Sequence, residues 1–86
     1  MPKFIDHHPM PPMSPEQKKA MLSQLKSMIT SKKPDSAGVI FLNVFMASGE
    51  AWGYSEAPDA EAIVKSHKAM GIKVKTSDIV EVTSVV

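Results

Sequence analysis

Hydrophobic and polar positions follow two different periods along this chain. In two segments the apolar side chains recur every three or four positions, which is the period of an α-helix with one buried stripe. Three other segments are rich in β-branched and aromatic residues, as strands are. In chain order, the pattern predicts a strand over 3–8, a helix over 15–32, a hairpin over 38–57, a helix over 59–70 and a strand over 79–86. A short extended piece is also predicted over 72–75.

Capping residues support the two predicted helices. Ser14 suits the N-cap of the first helix, Pro15 its first position, and Gln17 completes a capping box. The second helix has Asp59 as its cap and Gly71 as its stop signal. The first helix carries the apolar stripe Met21, Leu25, Met28 and Ile29. The second carries the stripe Ile63, Val64, His67 and Met70.

The element order βαββαβ favours a ferredoxin-like sandwich, an α+β fold in which two helices cover one face of a four-stranded antiparallel sheet. The predicted spatial order of the strands is 4-1-3-2. All 86 residues, 1–86, form a single domain in this interpretation. A chain of this length buries a modest core of its own, so help from a second chain is expected.

The strand over 38–47 is apolar on both of its faces. One set of alternate positions holds Ile40, Leu42, Val44 and Met46, and the other holds Val39, Phe41, Phe45 and Ala47. Two helices cover only one face, and each large side chain left in water forfeits about 1.5–3 kcal/mol. Pairing of two sheets in a homodimer or higher homo-oligomer would remove that loss. The alternative is an edge strand partly covered by the chain's own loops.

Composition narrows the classes of function. The chain has no cysteine, which excludes disulfides and thiolate metal sites and favours a reducing, cytoplasmic setting. The sequence shows neither an export signal nor an apolar stretch of the roughly 20 residues that span a bilayer, so no membrane association is expected. The net charge is +1 and all ten basic residues are lysines, which argues against nucleic acid as a partner.

Three histidines are the side chains best suited to chemistry near neutral pH. In the predicted topology His67 points at the sheet, and its end of the helix lies level with the end of the first strand, where His7 and His8 stand. His7 and His8 face opposite sides, so only one of them can meet His67, and the sequence leaves open which one. Such a cluster could bind nickel, copper or zinc, or shuttle protons, with Asp6 and Glu50 as oxygen donors.

Simpler interpretations of these residues stay open. An inward histidine such as His67 is often a core residue that bonds a backbone carbonyl, and adjacent histidines at a strand end are often only exposed. Trp52 and Tyr54 share one face of the third strand and could line a ligand pocket with His67, or pack in a core. Met10 and Met13 could form a lip over a cavity or a thioether copper site, or fill gaps.

The sequence resembles a family of small bacterial ferredoxin-like proteins, mostly of unknown function, that includes a nickel-responsive, nickel-binding member. The resemblance lies in the opening MPKFI, the helix start SPEQ, the stretch EAWGYSEAPDAEAIVKSHKAMGI and the closing VEV. The most specific matching positions are Tyr54, Ala57, Pro58, Asp59, Ala62, Ile63, His67 and Gly71. The resemblance implies a homo-oligomer built on paired sheet faces, a dimeric αβ-barrel, and makes His67 a stronger metal-ligand candidate.

Three functions follow from these observations. The first is a homodimeric binding protein that holds a divalent transition metal through His7, His8 and His67. The second is an enzyme of the dimeric αβ-barrel type, a small monooxygenase or isomerase, acting on a hydrophobic small molecule near Trp52 and His67. The third is an interaction module without a ligand. No serine–histidine–aspartate set or phosphate-binding glycine loop is present, so hydrolase and nucleotide chemistry lack support.

Overall fold

A computed structural model describes residues 1–85 of the chain. Its elements are β1 (Lys3–Pro9), α1 (Pro15–Ser31), β2 (Ile40–Ala47), β3 (Glu50–Glu56), α2 (Ala60–Ala69), a short 3-10 helix (Thr76–Asp78) and β4 (Ile79–Val82). The strands form one antiparallel sheet in the order β2-β3-β1-β4. The predicted ferredoxin-like α+β fold and its strand order are confirmed. None of the helices described is both long enough and apolar enough to cross a bilayer.

The helix caps form as the sequence predicts. The Ser14 hydroxyl accepts from the Gln17 backbone N–H at 3.1 Å, and the Gln17 side chain accepts from the Ser14 backbone N–H at 2.9 Å. The Asp59 carboxylate accepts from the Ala62 backbone N–H at 2.8 Å. Gly71 follows α2 with a φ of +76°, a left-handed conformation that glycine adopts without strain.

Strand alternation gives the sheet two distinct sides. The inner face, which the helices cover, carries Phe4, Asp6 and His8 of β1 and Ala51, Gly53 and Ser55 of β3. The outer face carries Ile5 and His7 of β1, Phe45 of β2, Trp52 and Tyr54 of β3 and Val80 of β4. Ile5, Phe45 and Val80 are between 39% and 60% exposed, so the outer face is apolar and open.

The apolar core lies between the inner face and α2. Its buried members are Phe4, Val39, Phe41, Ala57, Ala62, Ile63, Val74 and Ile79. Within the part of the chain that is described, α1 contributes no fully buried residue. The predicted stripe on α1, Met21, Leu25, Met28 and Ile29, is only half-buried. α1 therefore packs less closely on the sheet than α2 does.

A β-bulge in β2 corrects one prediction. The register of β2 against β3 shifts between Phe41 and Asn43, which inserts an extra residue and reverses the alternation beyond it. Val44 and Met46 consequently line the inner side under α1, whereas Phe45 lies outside and is 58% exposed. The sequence-based assignment of Phe41 and Phe45 to one face was wrong, because it assumed unbroken alternation.

The C-terminal strand is shorter than predicted. β4 ends at Val82, which pairs with Lys3 at the start of β1, so β1 offers no strand residue for pairing beyond it. Residues 83–85 are accordingly outside any strand, and Val86, the last residue of the predicted strand, lies outside the described residues. The extended piece predicted over 72–75 is not a strand in the structure.

Candidate metal centre

Two polar residues of β1 enter the inner face. Asp6 and His8 are two positions apart, so their side chains point to the same side of the strand. β1 is a central strand with β3 on one side and β4 on the other, and this position leaves Asp6 fully buried and His8 only 5% exposed. Acidic side chains are seldom this buried without a partner.

α2 adds a third donor from above the sheet. His67, in the last turn of the helix, is 3% exposed, and its Nε2 lies 3.2 Å from Oδ1 of Asp6. Nε2 of His8 lies 3.7 Å from the same oxygen, and the two imidazole rings meet edge to face with centroids 5.1 Å apart. One donor atom from each of the three residues lies within 4.8 Å of the others.

Backbone carbonyls fix the orientation of both rings. Nδ1 of His67 donates to the carbonyl of Ile63 at 2.8 Å, and Nδ1 of His8 donates to the carbonyl of Pro9 at 3.0 Å. A carbonyl only accepts, so Nδ1 carries the proton in each ring. In the neutral rings the Nε2 lone pairs are then free and directed toward Asp6, which is the arrangement found in metal-ligating histidines.

The carboxylate of Asp6 needs a cation. With both rings neutral, neither of its oxygens accepts a hydrogen bond from any of residues 1–85, and both are buried. A buried anion without a partner is strongly unfavourable. Either a proton on an imidazole or a metal ion among the three donors would compensate the charge.

The surroundings of His67 change its pKa. Burial lowers the pKa of His67, but the facing Asp6 carboxylate, the Ile63 carbonyl and the Asp35 carboxylate together outweigh burial and raise the pKa above 6.5. In the protein without metal, the raised pKa widens the pH range over which His67 carries a proton on Nε2 and can donate it to Asp6. A metal ion has to displace that proton to bind.

Gly53 makes room for the carboxylate. It lies directly opposite Asp6 on β3, and a Cβ at this position would be 2.5 Å from Oδ2 of Asp6. Gly53 was not among the site residues predicted from the sequence. The available signal was a glycine between two aromatic residues of a strand, and a glycine inside a strand often marks a close approach of another group.

Comparison with known proteins supports the fold of the whole chain. The chain is similar to a solved structure, SCO4226 from Streptomyces coelicolor A3(2). The TM-score is 0.63 and the sequence identity 25%, over 98% of this chain and 99% of that one. No family model matches the sequence, and no curated protein does.

The structure separates His7 from the other histidines. His7 lies on the outer face, where its ring stacks on Trp52 with centroids 4.6 Å apart and planes 4° from parallel. Its Nε2 donates to Oε1 of Glu50 at 3.0 Å. His8 is thus the neighbour of His67. The predicted trio His7, His8 and His67 is replaced by Asp6, His8 and His67 as the set of converging donors.

The predicted ligand pocket also divides between the two faces. Trp52 and Tyr54 share a face, as expected, but it is the outer one, whereas His67 lies on the inner side. These three residues therefore do not line one pocket. A cavity of about 490 Å³ instead adjoins His67 on the inner side, and Met10 and Met13 contribute to its wall.

Proposed function

We propose that this protein binds a divalent transition metal ion through Asp6, His8 and His67. The observation that carries the proposal is the buried Asp6 carboxylate, which, with both rings neutral, accepts no hydrogen bond from residues 1–85 while two imidazole lone pairs face it. A metal ion would neutralise the carboxylate and accept both lone pairs. The carbonyls behind the two rings would hold the ligands in place.

The three donor groups limit which metal ions the site can bind. Two imidazoles and a carboxylate suit nickel, copper and zinc, and the same set holds ferrous iron in some oxygenases. The sequence resemblance to a family with a nickel-binding member makes nickel the first metal to test. Calcium and magnesium are disfavoured because they prefer sites made of oxygen donors.

We also propose that the chain acts as a homodimer paired through its outer face, in a cytoplasmic setting. Ile5, Phe45 and Val80 leave this face apolar and exposed, and half-buried Trp52 and Tyr54 extend it. Covering them with a second copy would recover hydrophobic free energy that the single chain forfeits. The metal centre would remain on the inner side of each chain.

One observation favours the enzyme alternative, a small monooxygenase or isomerase. The cavity beside His67 is large enough for a small organic molecule and has mostly apolar walls. This alternative does not require a metal, and a bound organic molecule in protein that takes up no metal would support it. Recovery of a bound organic molecule unchanged after incubation with metal-loaded protein would support binding without catalysis.

A metal screen tests the proposal. Purified protein is equilibrated with nickel, copper, zinc or ferrous iron and its metal content is measured by mass spectrometry. We expect one ion per chain in the wild type and loss of that ion in His8→Ala and His67→Ala. His7→Ala is the matched control, since His7 is the neighbour of His8 on the opposite face, and it should retain the metal.

Two results would contradict the proposal. The first is a wild type that takes up none of the four metals. The second is retention of metal by folded His8→Ala and His67→Ala, particularly if His7→Ala loses it. Far-ultraviolet circular dichroism establishes that each variant is folded before its metal content is interpreted.

A further inference from the structure

A cavity remains between α1 and the inner face of the sheet. Its volume is about 490 Å³, and it is partly open to solvent. The cause is the size of the residues beneath the helix, because β3 presents only Ala51 and Gly53 there. The apolar stripe of α1 consequently faces a cavity and stays half-buried.

The cavity has a largely apolar wall, to which α1 adds Gln17 and Gln24, and one end that carries titratable groups. Its wall includes Ala20, Met21, Leu25, Phe41, Val44 and Met46. The polar end is formed by Asp6, His8 and His67, so the candidate metal centre opens into this cavity. Methionine side chains adapt to irregular shapes, which suits a wall that has to fit around a ligand.

We propose that the cavity binds an apolar small molecule whose single donor atom coordinates the metal ion held by Asp6, His8 and His67. This inference rests on the proposed function. Three protein ligands leave a metal ion with at least one open coordination position, as in metal centres that bind substrates. The cavity lies within the range of about 300–1,000 Å³ that is typical of small-molecule sites.

Charge defines the class of ligand further. Among the described residues that line the cavity, none is lysine and the one acid is Asp6. Gln17 and Gln24 in the lining are uncharged, so a second charged group on a ligand would meet no side chain of opposite charge outside the metal centre, and the metal is the natural partner for the ligand's donor atom. The expected ligand has one nitrogen or oxygen donor at one end and a hydrocarbon or aromatic body that fills the space under α1.

Three probes separate the contributions that the donor atom (the head) and the apolar body (the tail) of the ligand make to its affinity. N-octylimidazole has both a donor nitrogen and an apolar tail, N-methylimidazole has the donor alone, and N-octylpyrrole has the tail alone. Each is titrated into cobalt(II)-loaded protein while the visible absorption of cobalt reports coordination and calorimetry reports binding. We expect N-octylimidazole to bind at least ten-fold more tightly than either of the others and to change the cobalt spectrum.

A pair of variants tests whether the tail lies under α1. Ala20 lines the cavity, and Ala20→Phe should reduce the affinity for N-octylimidazole to that for N-methylimidazole without loss of metal. Ser23→Phe is the matched control, because Ser23, like Ala20, is exposed on α1 but does not line the cavity. It should leave all three affinities unchanged.

The outcomes distinguish this inference from the proposed function. If the protein binds no cobalt and none of the metals of the screen, the proposed function fails and this inference fails with it. If metal binds but the two imidazoles have equal affinities, the metal centre stands and the cavity is not its ligand site. Equal affinities of N-octylimidazole and N-octylpyrrole would overturn the coordinating head group, and resistance of N-octylimidazole binding to Ala20→Phe would overturn the assigned location.

Discussion

The carboxylate of Asp6 organises the candidate site at the level of single residues. It is fully buried, His8 and His67 face it, and Gly53 provides the space for it. Each of these features would be unfavourable alone, because a buried charge, two converging lone pairs and a strand glycine all reduce stability. A bound cation would make the buried charge and the converging lone pairs favourable. It would also explain why a glycine stands opposite Asp6.

Gly53→Ala should weaken metal binding. The added methyl group would lie 2.5 Å from Oδ2 of Asp6, so the carboxylate has to move away from its present position. We expect at least a ten-fold loss of nickel affinity by isothermal titration calorimetry. Ser55→Ala is the control, because Ser55 is buried on the same face of β3 and its hydroxyl has no hydrogen-bond partner among residues 1–85. Equal affinities of the two variants would contradict this role of Gly53.

The raised pKa of His67 predicts how the stability of the metal-free protein depends on pH. In the folded protein the pKa lies above the ordinary 6.5, so protonated His67 stabilises the fold below about that pH. This contribution is lost as the pH rises through the folded pKa. Urea unfolding in the presence of a chelator should therefore give a lower free energy of unfolding at pH 9 than at pH 6.

His67→Gln should flatten this dependence, because glutamine does not titrate. Metal-loaded wild type should gain stability over the same pH interval, since protons compete with the metal for the imidazoles. A metal-free protein that becomes more stable from pH 6 to pH 9, with a slope that His67→Gln leaves unchanged, would contradict the assignment.

At the level of elements, the two helices make unequal contributions to the core. Ile63 of α2 is fully buried, whereas Leu25 of α1 is half-buried over the cavity. The apolar period of α1 correctly identified the face it turns toward the sheet. It could not show that small residues of β3 lie opposite, because that depends on pairing between distant segments.

This difference should be measurable in the stability of truncation variants. Ile63→Ala should reduce the free energy of unfolding by about 2–5 kcal/mol, as is usual for a buried large-to-small change. Leu25→Ala should reduce it by about 1 kcal/mol or less, since the side chain already borders a cavity and is partly in water. Urea unfolding of both variants without added ligand gives the comparison. Losses of equal size would mean that α1 packs closely on the sheet in solution.

Features set by local sequence could be predicted, whereas features set by pairing between distant segments could not. The caps at Ser14 and Asp59 are local signals, and the helices begin where those residues predict. Strand order followed from the element order, which also brought His67 level with the end of β1. The bulge after Phe41 and the close approach of Gly53 to Asp6 arise from cross-strand pairing, which no local pattern in the sequence displays.

At the level of the whole molecule, the sheet separates the proposed metal site from the proposed dimer interface. The metal centre and the cavity lie on the inner face, whereas the apolar surface proposed to pair with a second copy lies on the outer face. His7 belongs to the outer surface through its stack on Trp52 and its hydrogen bond to Glu50. Loss of either function should therefore leave the other intact.

A charge on the outer face should separate the subunits without removing the metal. Phe45 is 58% exposed on this face, so Phe45→Lys should be tolerated by the fold and disfavour sheet pairing. Sedimentation velocity should show a dimer for the wild type and for His67→Ala and a monomer for Phe45→Lys. Metal content should not follow the oligomeric state, because the wild type and Phe45→Lys should hold the ion and His67→Ala should lose it. A monomeric wild type would contradict the proposed dimer.

An anomalous-scattering map from crystals grown with nickel tests the central claim most directly. The account predicts one strong peak per chain on the inner face, bonded to Nε2 of His8, Nε2 of His67 and a carboxylate oxygen of Asp6. A map without a peak there, or with its peak at His7 and Glu50 on the outer face, would contradict it.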